Sequence, residues 1–400
     1  MGRGPRWTPR LFGPAHFPAM ETGEEAMKRT MKRTMGCCPV SEGGSAARPR
    51  AELPGPWPCL VIFLLMAGTG FSQSFTGFID GSYGYNFNKP GDAKSLYRNF
   101  DVNHNQFSLN YAELAIEQKP APLGFRADIG FGDAATIVHA GEPAGADIYR
   151  PLQQAYVSAA KGKVQVDFGK FVTQHGAEVI ETKDNWNYSR SLLFAWAIPY
   201  YHFGARLTVT ANDRVTLGAS VSNGWNNVVD NNQGKTVGFQ AVLRPTSKFS
   251  FVQNYMVGKE QSGVNVDAVR HLWDSLATLD VTPRLSLMAN YDYGMDRSGG
   301  ARVRWQGLAG YAKISPTSKL KLIPRLEWFD DSQGFTTGTA QTLKEGTLTA
   351  EILVAEGAFL RGEYRYDWSN QSVFQRNATG ALGHQSSVTL GFVYTYSKAK

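Results

Sequence analysis

Hydrophobic and polar residues alternate along much of this chain. In VQVDFGKF, residues 164–171, two valines and a phenylalanine alternate with Gln, Asp and Gly, and the same period recurs in YYHFGARLTVTA, residues 200–211. A period of two is typical of a β-strand whose two faces meet different surroundings. These two segments are therefore predicted to be neighbouring strands, joined by the long connection 172–200.

Sixteen such segments follow one another, bounded by turn residues. They are predicted at residues 75–87, 106–118, 124–132, 153–160, 164–171, 201–211, 215–225, 236–244, 249–258, 268–280, 285–294, 302–313, 319–329, 343–354, 358–368 and 387–396. Short and long connections alternate, as in outer-membrane barrels. The pattern predicts an all-β protein, a transmembrane antiparallel β-barrel of about 16 strands. Segment 106–118 changes phase midway, which predicts a β-bulge.

The N-terminal part differs from the rest. Its apolar run CLVIFLLMA, residues 59–67, has the length of a signal-peptide core and is shorter than the roughly 20 residues of a membrane-spanning helix. We therefore expect that a signal peptide over 57–72 precedes the outer-membrane barrel, which occupies 73–400. We interpret 1–56 as an over-extended or disordered leader.

Composition supports export to the membrane. Charged residues make up only 19% of the chain, while Gly (42), Tyr (17) and Trp (9) are plentiful. Nine of the 41 basic and five of the 34 acidic residues precede Gln73, so the formal charge of +7 falls to +3 (32 against 29) in the predicted barrel. All three cysteines also lie before Gln73. We expect no nucleic-acid partner and no disulfide.

Charged residues occupy the strand phase opposite the apolar one. If the apolar phase faces lipid, the phase facing the lumen carries Arg126, Asp128, Asp167, Arg206, Arg244, Arg270, Asp274, Arg302, Arg304, Lys321, Arg325, Glu327, Glu345, Glu351, Arg361, Glu363, Arg365 and Asp367. Both signs are present. Such a wall predicts a water-filled pore with weak charge selectivity.

The connection 172–200 is the longest between two predicted strands, and we expect it to fold inward and narrow the pore. The candidate constriction residues are His175, Glu178, Glu181, Lys183, Asp184 and Arg190 in the connection and Arg126, Asp128, Asp167 and Arg206 on the wall. The connection's acidic residues, facing Arg126 and Arg206, would create a transverse field that orients dipolar solutes. The alternative is an external loop capped by its own apolar tail, LLFAWAIP.

Two weaker metal-site patterns are present. His175, Glu178 and Glu181 are three residues apart and would suit a divalent ion on a helix, but we favour a solvated acidic loop. Asp230, Asn231 and Asn232 would suit calcium, but we favour an extracellular turn. We therefore predict no metal site.

The chain contains no phosphate-binding loop, HExxH motif or nucleophile elbow, so we predict no enzymatic activity and no cofactor. An enzymatic barrel would need a catalytic pair at the lipid-facing rim, for which His271 and Ser275 are the candidates. Interfacial packing is the favoured interpretation of His271.

Several segments carry a family resemblance. FTGFIDGSYGYNFN, RNFDVNHNQFSLN, DFGKFVTQHGAEVIETKDNWNYSRSLLF and NGWNNVVDNN resemble the OmpL-like family of bacterial outer-membrane β-barrel porins, and the likeness extends over residues 75–400. The resemblance implies a barrel in the bacterial outer membrane. It does not define a substrate.

Together these features predict passive diffusion of small hydrophilic solutes or ions through the bacterial outer membrane. The expected partners are these solutes, outer-membrane lipid, the barrel-assembly machinery and, as a possibility for barrels of this size, two further copies in a homotrimer. A substrate-specific carbohydrate channel, a structural or adhesive barrel and an enzymatic barrel remain open as alternatives.

Overall fold

The computed structural model describes residues 73–143, 145–261 and 267–399. The predicted leader and signal peptide lie outside these ranges. Within them, no helix is long and apolar enough to cross a membrane.

Eighteen strands and two short α-helices make up the described chain. The strands are β1 (Gln73–Asn86), β2 (Gln106–Gln118), β3 (Leu123–Phe131), β4 (Leu152–Lys161), β5 (Val164–Val172), β6 (Tyr201–Asn212), β7 (Val215–Ser222), β8 (Thr236–Thr246), β9 (Phe249–Lys259), β10 (Val269–Thr282), β11 (Leu285–Ser298), β12 (Ala301–Ile314), β13 (Leu320–Asp331), β14 (Gln341–Ala355), β15 (Ala358–Ser369), β16 (Phe374–Arg376), β17 (Gly380–Leu382) and β18 (His384–Ala399). The helices are α1 (Asp133–Val138) and α2 (Leu192–Trp196), and Asp147–Tyr149 and Thr182–Asp184 form 3₁₀ turns.

Sixteen of the strands close into one antiparallel barrel. Strands β1 to β15 pair in chain order, and β18 pairs with both β15 and β1 to complete the ring, while β16 and β17 form a separate hairpin. Closure gives each spanning backbone group a partner on a neighbouring strand, which the hydrocarbon core requires because it offers none. The predicted 16-stranded barrel is confirmed, with strand bounds that differ by a few residues.

The predicted bulge is also present. Asp80 in β1 pairs with Tyr111, and the next residue, Gly81, pairs with Leu109. Asn110 is therefore the extra residue of β2, and both it and Tyr111 are buried inside the barrel. This insertion explains why the apolar phase shifts along β2.

The two faces of the strands differ as the alternation predicts. Outward side chains are large and apolar, for example Phe107 (84% exposed), Leu114 (73%) and Leu390 (66%). Inward side chains are mostly polar, and Asp128 and Asp274 are completely buried. Seven short connections lie at one end of the barrel, which is the periplasmic end by the rule for outer-membrane barrels, and the two-residue turn 299–300 between β11 and β12 lies at the other end.

Strand β12 departs from the predicted phase. Arg302 and Arg304 are exposed on the outward side, together with Leu308, whereas Trp305 is buried inside the barrel. The inward prediction for the two arginines was wrong because they lie at the beginning of the strand, away from mid-membrane depth, where an outward charge costs little. Trp305 instead points inward, where its indole ring is buried in the space that Gly294 leaves without a side chain.

Candidate functional site: the barrel interior

The segment 173–200, which joins β5 to β6, contacts widely separated parts of the inner wall. The backbone N–H of Gly176 donates to Asp274 in β10 (2.9 Å), and that of Leu192 donates to Glu327 in β13 (2.7 Å). The Thr182 hydroxyl donates to Asp80 in β1. These partners all belong to the inward phase of the strands. The contacts place the segment against the inner wall of the barrel.

The tip of the segment, residues 182–187, is held by one arginine of β15. The Arg361 guanidinium donates to the carbonyls of Thr182 (2.8 Å), Asn185 (2.6 Å) and Asn187 (3.1 Å). It also pairs with Glu351 at 2.7 Å. Arginine suits this position because its planar guanidinium carries five N–H donors spread over three nitrogen atoms, which can reach several carbonyls at once. A lysine has three donors, all on one nitrogen atom.

Wall carboxylates accept hydrogen bonds from the segment's backbone. Glu363 accepts from the N–H groups of Tyr188 (2.8 Å) and Ser189 (3.0 Å). Glu327 accepts in the same way from Leu192 and Leu193 (3.1 Å). An irregular segment inside a barrel lacks a ladder partner, so these N–H groups need such acceptors. The interior acids therefore serve to hold the segment, a role that the strand pattern did not reveal.

Glycines in the wall leave room for side chains of the segment. A Cβ atom built on Gly391 would lie 2.3 Å from the Tyr188 ring, and one on Gly307 would lie 2.5 Å from Leu193. The Tyr188 hydroxyl also donates to Asp80 (2.7 Å). The segment thus fits the wall by close packing as well as by hydrogen bonds.

The apolar tail of the segment forms α2. Ser191 caps this helix, because its hydroxyl accepts from the Phe194 N–H (3.0 Å). Phe194 packs edge to face with Phe100 from the first long connection (5.9 Å between ring centroids), and the Trp305 indole donates to the Ala197 carbonyl (3.1 Å). The tail is buried against the wall and a second loop.

Glu178 does not face the wall cations to which it was assigned. Its carboxylate pairs with Arg325 of β13 (2.9 Å), which is fully buried and also pairs with Glu345 (2.8 Å). The predicted pairing with Arg126 and Arg206 is therefore wrong for this residue. Spacing along the chain could not reveal that Glu178 turns toward the opposite part of the wall.

His175 and Arg190 are also buried within the segment. Arg190 donates to the carbonyls of Val179 (2.9 Å) and Ile180 (2.6 Å), so it closes the segment on itself. The Nδ1 atom of His175 lies 3.2 Å from the Thr173 hydroxyl. Burial lowers the pKa of His175 to about 4, against the opposing effect of a nearby aspartate. Because both side chains are buried, the structure does not place them as lining of a water-filled path.

The three candidate metal ligands of the segment do not converge. His175 contacts Thr173 and Glu178 contacts Arg325, whereas Glu181 lies beside Glu113 and Asp128, with their carboxylate oxygens within 4.8 Å of one another. Burial is the main reason that the pKa of Glu181 is raised.

Four of the predicted constriction residues remain accessible. On the wall, the side chain of Arg126 is 31% exposed and pairs with Asp128 (2.9 Å), and that of Arg206 is 20% exposed and pairs with Asp167 (2.8 Å). At the tip of the segment, Lys183 and Asp184 pair with each other and are 25% and 56% exposed. The buried carboxylates of Asp128 and Asp167 thus hold the two arginines in place through these ion pairs.

Accessible polar side chains of the inner wall are most numerous on strands β3 to β8, and Arg270, Lys313 and Lys321 add three on β10, β12 and β13. Inward residues that are half-buried on strands β3 to β8 are Arg126, Tyr156, Gln165, Arg206, Thr208 and Gln240. The segment's backbone is held instead by the acids of β10, β13 and β15. The interior thus has a packed side and a polar side.

A closed barrel with an apolar outer face and a polar inner wall is the architecture of outer-membrane barrels, porins among them. The chain belongs to the family described as "Putative beta-barrel porin-2, OmpL-like", whose model matches residues 72–396. It is therefore an outer-membrane porin of bacterial type. No protein of curated function matches the sequence.

Solved structures that share this fold have low sequence identity to the chain. The anion-selective porin from Comamonas acidovorans aligns with a TM-score of 0.59 at 11% identity, over 81% of this chain and 99% of its own. The trimer form of OmpT from Vibrio cholerae gives 0.56 at 10%, over 81% and 99%. OmpF of Salmonella typhi, in complex with daunomycin, gives 0.55 at 15%, over 82% and 98%.

Proposed function

We propose that small hydrophilic solutes and ions diffuse passively along the polar side of the interior, between the segment 173–200 and strands β3 to β8. The observation that carries this proposal is the contrast between the two sides. The segment is braced against β10, β13 and β15, while Arg126 and Arg206 stay accessible opposite. The segment would limit the size of the solutes that pass, and the paired charges of the wall would favour polar solutes.

Local electrostatics would come from ion pairs rather than from free charges. Each accessible arginine has a buried aspartate behind it, so the wall presents guanidinium groups whose charge is largely balanced. Lys183 and Asp184 form a similar pair at the tip. Such dipolar pairs favour weak selectivity between anions and cations.

The surroundings of His271 and Ser275, the candidate catalytic pair, favour a channel over an enzyme. His271 contacts the Tyr255 hydroxyl (2.8 Å) and stacks on Trp273, whereas the Ser275 hydroxyl donates to Gln253 (2.8 Å). A nucleophile needs its base within hydrogen-bond reach, and each of these side chains is engaged elsewhere.

We further propose that the barrel assembles as a homotrimer in outer-membrane lipid after insertion by the barrel-assembly machinery. The trimer form of OmpT from Vibrio cholerae supports the homotrimer at the level of fold. The outward apolar phase supports lipid contact, and the aromatic terminal strand β18, with Phe392, Tyr394 and Tyr396 outward, suits an assembly signal.

Liposome swelling tests the diffusion proposal. Vesicles containing the purified protein are placed in isotonic solutions of glycerol, arabinose, glucose and raffinose. We expect swelling rates that fall steadily with solute size and that depend little on its stereochemistry. Swelling with one sugar alone would favour a carbohydrate channel. No swelling with glycerol by a folded barrel would contradict the proposal and leave a structural barrel.

A further inference from the structure

Trp186 lies at the tip of the segment 173–200 and is only partly buried. Its ring meets Tyr311 edge to face, with the centroids 6.3 Å apart. The ammonium of Lys313, near the end of β12, lies 4.4 Å from the centroid of the indole ring. An aromatic surface and a cation are therefore combined at one point of the inner wall.

A second lysine stands close to the first. Lys321 is the second residue of β13, on the other side of the turn 315–319, and both lysines belong to the inward phase. Lys321 pairs with Glu351 (2.5 Å), which also pairs with Arg361 (2.7 Å). Two cations thus share one carboxylate.

Lys313 itself has no carboxylate within ion-pair distance among the described residues. The acids that act electrostatically on Lys313 are engaged elsewhere: Asp280 with the Ser286 hydroxyl (2.6 Å), and Glu351 as described above. The periplasmic end of the interior therefore carries an excess of positive charge beside an accessible indole. A half-buried ammonium without a counter-ion favours an anionic guest.

We propose that Trp186, Lys313 and Lys321 form a binding site for planar organic anions, namely aromatic carboxylates, on the inner wall at the periplasmic end of the barrel, beside the tip of the segment. The carboxylate of the guest lies between the two ammonium groups, and its ring packs against the exposed part of the indole. The site rests on the proposed diffusion function, because it would delay these solutes as they pass.

The test measures benzoate binding to the full protein by isothermal titration in detergent, and benzoate block of single-channel current in planar bilayers. Acetate lacks the ring and benzyl alcohol lacks the charge. We expect benzoate to bind more tightly than either. Lys313→Gln and Trp186→Leu should each weaken benzoate binding about tenfold, in line with the loss of one hydrogen bond to a charged group or its aromatic support.

Two further variants keep the test decisive. Lys248→Gln removes an equivalent charge from a periplasmic turn away from Trp186, and its affinity should stay within about twofold of wild type because distant surface charges are screened. Lys313→Arg retains the charge and should retain binding. Equal affinity for benzoate, acetate and benzyl alcohol, or full binding by Lys313→Gln, would overturn the proposal. Binding without any channel current would support the site and contradict the diffusion function.

Discussion

Replacement of Arg361 by Met should release the tip of the segment 173–200 from the wall. The guanidinium donates to three carbonyls of the tip, and methionine has a similar reach but no donor. Its ion-pair partner Glu351 keeps a second partner, Lys321 at 2.5 Å, so the variant does not leave an isolated buried charge. The effect should therefore arise mainly from the tip carbonyls.

The magnitude follows from the three lost hydrogen bonds. Each contributes about 1 kcal/mol net when water can replace the donor, which gives about 3 kcal/mol for the tip. A change of this size alters the ratio of docked to released tip by a factor of about 100. The barrel strands are unaffected by this step, because their hydrogen bonds run between neighbouring strands.

Hydrogen exchange followed by mass spectrometry measures this release. Peptides covering 179–190 should exchange about a hundredfold faster in Arg361→Met than in wild type, because local opening determines their exchange. Arg206→Met is the matched control: its guanidinium pairs with Asp167 on the wall, and exchange in 179–190 should change by less than about threefold. Unchanged exchange in a correctly folded Arg361→Met barrel would show that Arg361 does not hold the tip against the wall.

Three further predictions concern the packing, the pH response and the lipid face. Gly391→Leu should push the Tyr188 ring, which a Cβ atom would already approach to 2.3 Å, away from the wall and toward strands β3 to β8; it should therefore lower single-channel conductance, whereas an unchanged conductance would contradict the close fit. His175 stays neutral when docked because its pKa is lowered to about 4, so docking is complete above its ordinary pKa of 6.5 and weakens by roughly 2 kcal/mol at pH 5. In wild type, amide protection in 173–180, measured relative to the intrinsic exchange rate at each pH, should be lower at pH 5 than at pH 7, and His175→Gln should lack this difference. Leu390→Arg puts a charge on the lipid face and should lower the free energy of unfolding by about 2 to 4 kcal/mol in urea titrations, against a smaller loss for Leu390→Ala.

The strands were predictable because lipid imposes a strict rule. Every residue on the outer face at mid-depth must be apolar, so the period of two is continuous, and even the extra residue Asn110 shows as a change of phase. The rule weakens toward the ends of the strands. Arg302 and Arg304 could therefore point outward while Trp305 packed inside, against the predicted phase.

The segment 173–200 was much less predictable in detail. Its length and position between β5 and β6 indicated that it enters the barrel, but it has no period that distinguishes a lining residue from a buried one. Glu178 and Arg190 are buried hydrogen-bonding groups, whereas Lys183 and Asp184 are accessible. The difference depends on partners far along the chain, such as Arg325, which spacing cannot reveal.

Single-channel recording shows whether the segment 173–200 narrows an open pore. Protein purified from outer membranes is compared with a variant in which a short Gly-Ser linker replaces residues 176–190. We predict stepwise currents from both proteins, with clearly larger steps from the variant. Equal steps would contradict the constriction, and silence from two folded barrels would contradict the pore itself.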